Sequence, residues 1–310
     1  MKKYMAMLLA LVMLITPCAA LGETVVTSFY PIYLFALNLT QGLPDVEVHN
    51  LTAPTTGCLH DYQLQISDMK ALNRADVFLI NGAGMEGYLT DVTAMFPDLP
   101  VVDASRGVTL LEECEEEEAG DDHDDHDHDH DHGHEHEVNS HIWLDAQNAI
   151  TMVNNLADGL IAALPEQHAD AINANRVDYV ARLEAVDNEL KAGLADVAHA
   201  NVVTFHEAFP YFANAYHLNV SAVVNHEAGD ELTPKAMVAL VHTIRDMGVP
   251  PLFVEPQYED NVAQTLARET GAKIYTLDPV VTGPETDVPL TLYEDAMRRN
   301  LAVLQEALGE

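Results

Sequence analysis

The sequence places four potential metal ligands in loops beside predicted strands and helices. Three are histidines and one is a carboxylate: His60, His141, His206 and Asp278. In open α/β sheets, ligands bind beyond the carboxyl ends of the strands, so we expect all four to meet in one cleft. Three neutral imidazoles and one carboxylate suit a tetrahedral Zn²⁺ ion, whereas Mg²⁺ and Ca²⁺ favour an all-oxygen shell.

Taken one at a time, each of these histidines would be interpreted as a hydrogen-bonded structural residue. Only their shared position favours a metal site. Trp143 and Tyr62 are expected to pack around the site and fix the neighbouring imidazoles, and His226 is a weaker spare ligand. Five further histidines lie within predicted elements and are expected at the surface or in packing: His49, His168, His199, His217 and His242.

A second group of histidines lies in a strongly acidic segment, residues 112–137. This segment holds 15 of the 50 acidic residues and seven of the 16 histidines. Residues 121–137 offer no apolar side chain to bury, so a solvated, disordered loop is predicted. The loop is either a local zinc collector or sensor, or a spacer with incidental metal affinity. The predicted secondary ligands are His123, His126, His128, His130, His132, His134 and His136.

The overall charge excludes one class of partner. The 310 residues include 14 Lys and Arg against 50 Asp and Glu, a formal net charge of −36. Such a surface repels phosphate backbones and attracts cations, so we expect no nucleic-acid partner. The apolar content of 48% is enough for one large or two smaller domains.

Strand and helix patterns alternate in two similar halves of the chain. Compact apolar runs predict strands at 24–28, 46–51, 77–80 and 101–102, and again at 202–205, 220–224, 252–254 and 273–277. Helical patterns fall between them, at 32–39, from 67, at 88–95, 208–216, 234–247, 262–270 and 290–308, with Ser67 and Thr233 as predicted N-caps. The alternation predicts an α/β fold: two lobes with mostly parallel sheets flanked by helices.

One long helix is predicted to join the two halves. From 145 to 197 the pattern is almost entirely helical, interrupted near Pro165. A helix over 166–197 would be about 48 Å long at 1.5 Å per residue. We therefore divide the chain into a signal peptide at 1–22, an N-terminal lobe at 23–165, a linking helix at 166–197 and a C-terminal lobe at 198–310.

The first residues are typical of a secretory signal, with two lysines before an apolar run from Met5 to Ile15 that is too short to span a bilayer. Cleavage after Ala20 or Gly22 would leave the mature protein outside the cytoplasm, in the periplasm or at the cell surface. A retained anchor is one alternative. Lipidation at Cys18 is another, although Pro17 stands where a lipobox has a small residue.

Removal of the signal would leave two cysteines, Cys58 and Cys114. An exported protein can keep a disulfide between them, because its compartment is oxidising. Free thiols and soft metal ligands are the alternatives.

Five short motifs, in order along nearly the whole mature chain, resemble those of the zinc-type solute-binding proteins of metal ABC transporters. The set is specific, although each motif alone is a weak signal. The motifs are GCLHDYQLQISD at 57–68, HIWLD at 141–145, FHEAFPYF at 205–212, EPQY at 255–258 and LDP at 277–279.

The resemblance implies two lobes joined by a long helix, with the metal held between them and delivered to a membrane permease by a monomer that is not an enzyme. His60, His141, His206 and Asp278 match the family's ligand positions. The similar manganese branch typically has a carboxylate where this chain has His206, which favours zinc over manganese. Some zinc members have a glutamate where this chain has Leu59, so Asp278 or a water must fill the fourth position.

Two other functions stay open from the sequence. A surface adhesin or metal buffer is one, since some relatives act at host surfaces. A zinc hydrolase is less favoured, because a metalloprotease helix needs His-Glu-x-x-His and neither His206-Glu207 nor His226-Glu227 completes it.

Overall fold

The computed structural model describes residues 22–56, 59, 62–112, 138–224, 233–257 and 261–309. The predictions for the signal segment up to residue 21, for the acidic segment beyond Glu112 and for His60, His226 and the three cysteines lie outside these residues. Within the described ranges, no helix combines the length and apolar character needed to cross a membrane.

The N-terminal half forms a four-stranded parallel sheet in the order β2-β1-β3-β4. The inner strand β3 is buried along its whole length, as its unbroken apolar sequence predicts. The strands are β1 Glu23–Thr27, β2 Val46–Asn50, β3 Val77–Ile80 and β4 Val101–Asp103, and the helices are α1 Tyr30–Leu39, α2 Ile66–Leu72 and α3 Leu89–Met95.

The C-terminal half repeats this arrangement in a second parallel sheet, of order β6-β5-β7-β8. Its strands are β5 Asn201–Thr204, β6 Asn219–Val223, β7 Leu252–Val254 and β8 Ile274–Thr276. Along the chain, two helices separate the first sheet from the second: α4 Ala146–Ala163 and α5 Ala169–Leu194. The helices of the second half are α6 Pro210–Ala215, α7 Pro234–Asp246, α8 Asn261–Thr270 and α9 Leu292–Leu308. The predicted two-lobed α/β fold is confirmed.

The long helix α5 has 26 residues and is flanked by 3-10 turns at Glu166–His168 and Ala195–Val197. Its apolar residues at three- and four-residue spacing, Leu183, Val186 and Leu190, are fully buried. This face packs against α4, α9 and α1, so one helix contacts both halves.

Among the described residues, the apolar interior consists of one large cluster and one small one. The large cluster includes Phe78 of the first sheet, Tyr179 of α5 and Phe253 of the second sheet. The small cluster lies between β7 and the helices α7 and α8, around Ile244 and Leu266. The shared cluster joins the two sheets through α5, because apolar surface of all three elements is removed from water together.

The predicted N-caps have different outcomes. Thr233 is confirmed, because its hydroxyl accepts a hydrogen bond from the Ala236 amide at 3.2 Å. Ser67 is wrong, because the N-cap of α2 is Gln65, two residues earlier. The Asp68 carboxylate accepts from the Gln65 amide at 2.7 Å, and this bond fixes the start of the helix one residue before Ser67.

An ion pair with a buried carboxylate holds α5 against α9. The Arg182 guanidinium donates to the Glu294 carboxylate and to Asn38 of α1, and lies 4.6 Å from the centre of the Tyr179 ring. The Glu294 side chain is 2% exposed and that of Arg182 is 29% exposed. Burial raises the pKa of Glu294, and the Arg182 charge acts in the opposite direction.

Replacing Arg182 with alanine is predicted to lower the free energy of unfolding by about 2–3 kcal/mol, because it leaves the Glu294 carboxyl buried without its cation. The matched control is Arg298→Ala. Its pair with Glu189 joins the same two helices, but both side chains are more than 40% exposed, so its loss should cost less than about 1 kcal/mol. Urea unfolding of both variants checks this, and equal losses would contradict it.

Candidate metal centre

Two of the predicted ligands lie side by side between the lobes. His206 follows β5, His141 precedes a 3-10 turn at Ile142–Leu144, and their Nε2 atoms are 3.1 Å apart. The ring centres are 5.0 Å apart and the ring planes are nearly perpendicular, at 82°. His141 is 1% exposed and His206 is 9% exposed. The protein thus brings two imidazoles from distant parts of the chain together in a site that is almost completely shielded from solvent.

The spacing of the two nitrogen atoms suits a shared zinc ion. Two imidazole nitrogens bound to one tetrahedral Zn²⁺ at 2.0–2.1 Å are about 3.3 Å apart. The observed distance between the two Nε2 atoms, 3.1 Å, is slightly shorter than that value. A small adjustment of the side chains would bring the two nitrogens to the spacing that zinc requires. Nitrogen donors are also the chemistry that zinc, nickel and copper prefer, whereas hard cations take oxygen.

Asn139 fixes the orientation of the His141 ring. Its amide nitrogen Nδ2 donates to the carbonyl of Glu207 at 2.7 Å, so its Oδ1 is the acceptor on the other side. That oxygen receives the His141 backbone amide at 3.0 Å and lies 3.2 Å from Nδ1 of the ring. An oxygen can only accept, so Nδ1 carries the proton and the lone pair of Nε2 points toward His206.

The same asparagine ties the two lobes together at the site. Its partner Glu207 is the residue after His206, so one amide side chain positions both histidine-bearing loops. Tyr211 of α6 strengthens the link, because its hydroxyl donates to the Asn139 carbonyl at 2.8 Å and accepts from the Leu111 amide at 2.9 Å.

The two aromatic residues predicted to surround the site have different roles. Trp143 is fully buried, its ring centre lies 5.2 Å from that of His141, and its Nε1 donates to the Pro279 carbonyl at 2.8 Å. It therefore packs on one predicted ligand, His141, and contacts the loop that follows another predicted ligand, Asp278. The Tyr62 hydroxyl donates a hydrogen bond to the Asp68 carboxylate at 2.7 Å. The predicted contact of Tyr62 with His60 lies outside the described residues.

Asp278 is held by neighbours within its own lobe. Its Oδ1 accepts from the Val280 amide at 2.8 Å, and its Oδ2 lies 3.3 Å from Nη2 of Arg299. Among the described residues, no three His, Cys, Asp or Glu side chains are grouped so that they could hold a metal ion. The pair His141 and His206 therefore needs a further donor, and the four-residue ligand set stays a prediction.

Glu86 holds the turn beside His141. It is buried, and its two oxygens accept from the amides of Asn81 and Gly82 at 2.7 and 3.1 Å. Asn81 in turn donates to the carbonyl of Ser140, the residue before His141, at 3.0 Å. Burial raises the pKa of Glu86 to about 7, and the hydrogen bonds from the turn oppose that rise.

Sequence reasoning did not single out Glu255 as a site residue. Glu255 directly follows β7, which lies in the sheet between β5 and β8, the strands that precede His206 and Asp278. It is 2% exposed, and its Oε1 has no hydrogen-bond partner within the described part of the chain. Burial, with repulsion from Asp278, raises the pKa of Glu255 to about 8. Its place after a buried strand was the signal that could have identified it.

A family model described as the zinc-uptake complex component A, periplasmic, matches residues 25–307. The fold is that of a two-lobed α/β protein, and the pair His141 and His206 is its candidate metal site. The chain belongs to this family of zinc-uptake components.

Curated relatives carry related names. The chain is 29% identical over 288 residues to the zinc-binding protein AdcA of Streptococcus pyogenes serotype M3. The aligned region covers 91% of the chain and 55% of AdcA. It is 28% identical over 288 residues to the high-affinity zinc uptake system protein ZnuA of Bacillus subtilis, covering 92% and 87%. The chain thus spans about half the length of the streptococcal relatives.

Solved structures share the fold. FpvC of Pseudomonas aeruginosa in complex with Mn²⁺ superposes with a TM-score of 0.76 at 27% identity, over 93% of this chain and 98% of FpvC. Zn(II)-bound AdcA of Streptococcus pneumoniae gives a TM-score of 0.75 at 23% identity, over 93% of this chain and 58% of AdcA. Both comparisons support the two-lobed architecture.

Replacing Asn139 with alanine is predicted to weaken zinc binding by about 10- to 100-fold, because partners that orient a ligating histidine have effects of that size. Asn139→Asp keeps the oxygen acceptor for Nδ1 but loses the donor to the Glu207 carbonyl, so it should retain more of the affinity than Asn139→Ala without matching the wild type. Calorimetric competition against a strong chelator measures both. Equal losses in the two variants would show that Asn139 does not act through the His141 ring.

Replacing Glu255 with glutamine is predicted to flatten the pH dependence of stability. In the folded protein Glu255 keeps its proton up to a pKa of about 8, whereas the unfolded chain loses it near 4.5. Its contribution is therefore fully present below pH 4.5 and is lost as the pH rises through about 8. Between pH 6 and 8, metal-free wild type should lose about 2 kcal/mol more unfolding free energy than Glu255→Gln. Parallel losses in urea titrations at the two pH values would refute this.

Proposed function

We propose that this chain binds Zn²⁺ between its two lobes and delivers it to an ABC-type permease in the membrane. The observation that carries the proposal is the buried histidine pair, with the Nε2 atoms of His141 and His206 3.1 Å apart and one ring oriented by Asn139. Membership of the zinc-uptake family supports the same function.

The proposed ligands are His60, His141, His206 and Asp278. His60 follows β2 in the first lobe and His141 precedes α4, while the other two follow strands β5 and β8 of the second sheet. An ion bound by all four would therefore bridge the two halves. The donor set of three imidazoles and one carboxylate favours zinc. Manganese is the second candidate, because FpvC, which shares the fold, was solved in complex with Mn²⁺.

We propose that metal binding and release involve only a small movement of the lobes. Helix α5 contacts both halves, and the large apolar cluster includes residues from both sheets. Hydrogen bonds between side chain and backbone also cross between the lobes, such as that from the Tyr30 hydroxyl to the Pro284 carbonyl at 3.0 Å. Packed elements of this kind slide by small shear movements and do not swing widely.

The cellular location and the partner are part of the proposal. The family's description as periplasmic supports export by the N-terminal signal and action outside the cytoplasm, with a lipid anchor at Cys18 as a variant of that location. The permease is the expected partner and the protein acts as a monomer. The seven histidines of the acidic segment would supply secondary metal ligands near the cleft.

Replacing His206 with alanine is predicted to lower zinc affinity by at least about 100-fold, or about 2.7 kcal/mol, because the ion loses one ligand and half of the observed pair. His242→Ala, at an exposed histidine of α7, is the matched control and should leave affinity unchanged. Competition calorimetry against a strong chelator separates this site from weaker histidines. Unchanged tight binding in His206→Ala would remove His206 from the site.

The preferred ion is tested by native mass spectrometry of the wild-type chain with Zn²⁺ and Mn²⁺ offered together at equal concentration. One tightly held zinc ion that is absent from His206→Ala supports the proposal. Retention of manganese in preference to zinc would assign the chain to manganese uptake.

A further inference from the structure

A second pair of histidines stands at the opposite end of the C-terminal sheet. The sequence pattern His-x-Asn-Val occurs twice, at 199–202 and at 217–220. The two copies begin neighbouring parallel strands, and the register pairs Asn201 with Asn219 and Val202 with Val220. The repeat therefore places His199 beside His217, because equivalent residues of adjacent parallel strands lie about 5 Å apart.

The backbone and side-chain contacts support this pairing. The His199 amide donates to the His217 carbonyl at 2.5 Å, and the Asn219 amide donates to the Ala200 carbonyl at 2.9 Å. The side-chain amide of Asn219 donates to Oδ1 of Asn201 at 2.7 Å, so the asparagines also pair. The two imidazole rings are inclined by only 33°, with centres 6.4 Å apart.

Both histidines adopt a backbone conformation that few residue types adopt. His199 has φ +68° and His217 has φ +59°, in the left-handed region that glycine and asparagine enter most readily. A non-glycine residue there costs free energy, and such positions cluster at functional sites. Two neighbouring turns therefore carry the same strained residue type, and both side chains are exposed.

We propose that His199 and His217 form a second site for a borderline divalent ion, Zn²⁺, Ni²⁺ or Cu²⁺, bound by two imidazoles. They line a surface cavity of about 410 Å³ together with Ala213, Asn214, Leu218 and Asn219, which leaves room for water to complete the shell. Imidazole nitrogens suit these three ions, and the net charge of −36 attracts cations to the surface.

The geometry requires only a small adjustment. In the pair His141 and His206, the ring centres are 5.0 Å apart, and the Nε2 atoms are then close enough, at 3.1 Å, to bind one metal ion. The ring centres of His199 and His217, 6.4 Å apart, must approach by about 1.4 Å to match that spacing, and exposed side chains change rotamer on picosecond to nanosecond timescales.

This site is separate from the first. His199 precedes the amino end of β5, whereas His206 follows its carboxyl end. Seven residues of extended chain span about 20 Å, so no single ion can contact both pairs. The inference does not rest on the proposed function and holds or fails independently of zinc uptake.

The experiment uses the full chain with ¹⁵N-labelled histidine, loaded with one equivalent of zinc and titrated with further Zn²⁺. A metal buffer fixes the free-ion concentration, so that other histidines do not alter it. The imidazole resonances of His199 and His217, assigned by substitution, are followed by NMR. His199→Asn and His217→Asn are the test variants, because asparagine tolerates positive φ. His242→Asn, at an exposed histidine of α7, is the matched control.

The expected result is that the resonances of His199 and His217 shift together with one midpoint, lower than that of His242. Each single variant should raise the midpoint at the remaining partner by at least about tenfold, while His242→Asn leaves both unchanged. Independent shifts with the midpoint of His242, or no shifts, would overturn the proposal. A partner's midpoint unaffected in both folded variants would overturn it too.

Discussion

Two buried imidazoles facing each other across 3.1 Å are the arrangement on which the site depends. The network around Asn139 directs the lone pair of one ring toward its neighbour. The two Nε2 atoms lie within hydrogen-bond distance of each other, and a cation bound between the rings would replace that contact with two metal–nitrogen bonds. The fold can be understood as the means of holding these two rings in place.

The rest of the protein positions the pair from both sides. Asn139 joins the loop of His141 to the loop of His206, and Tyr211 joins that link to the chain before the acidic segment. Trp143 connects His141 to the loop after β8. These hydrogen bonds add to the stabilisation from the shared apolar cluster and from the long helix that contacts both halves. Close-packed elements of this kind allow small shifts, which is the movement proposed for metal entry and release.

Much of the fold could be predicted because it rests on local patterns. The apolar runs at 77–80 and 252–254 coincide with β3 and β7, and Pro234 after Thr233 marks the start of α7. The linking helix followed from apolar residues at helical spacing. The start of α2 was misplaced because a serine resembles an N-cap locally, while the Asp68 carboxylate bonds to the Gln65 amide.

The site was predictable in part. The rule that ligands follow parallel strands selected His206, and the structure brings it to His141. The role of Asn139 could not be predicted, because it depends on contact with Glu207, 68 residues away. The same rule applies to Glu255, which also directly follows a strand, but only the structure shows that its carboxyl is buried in the interior. The structure likewise shows that the oxygens of Asp278 contact Val280 and Arg299. No local sequence pattern reports which of two carboxylates has other partners.

Anomalous diffraction at the zinc absorption edge, from crystals of the chain carrying one equivalent of zinc, tests the central claim most directly. The account predicts one strong peak between the lobes, about 2.0–2.1 Å from Nε2 of both His141 and His206. A strong peak elsewhere, with the two imidazoles still facing each other and no ion between them, would contradict it.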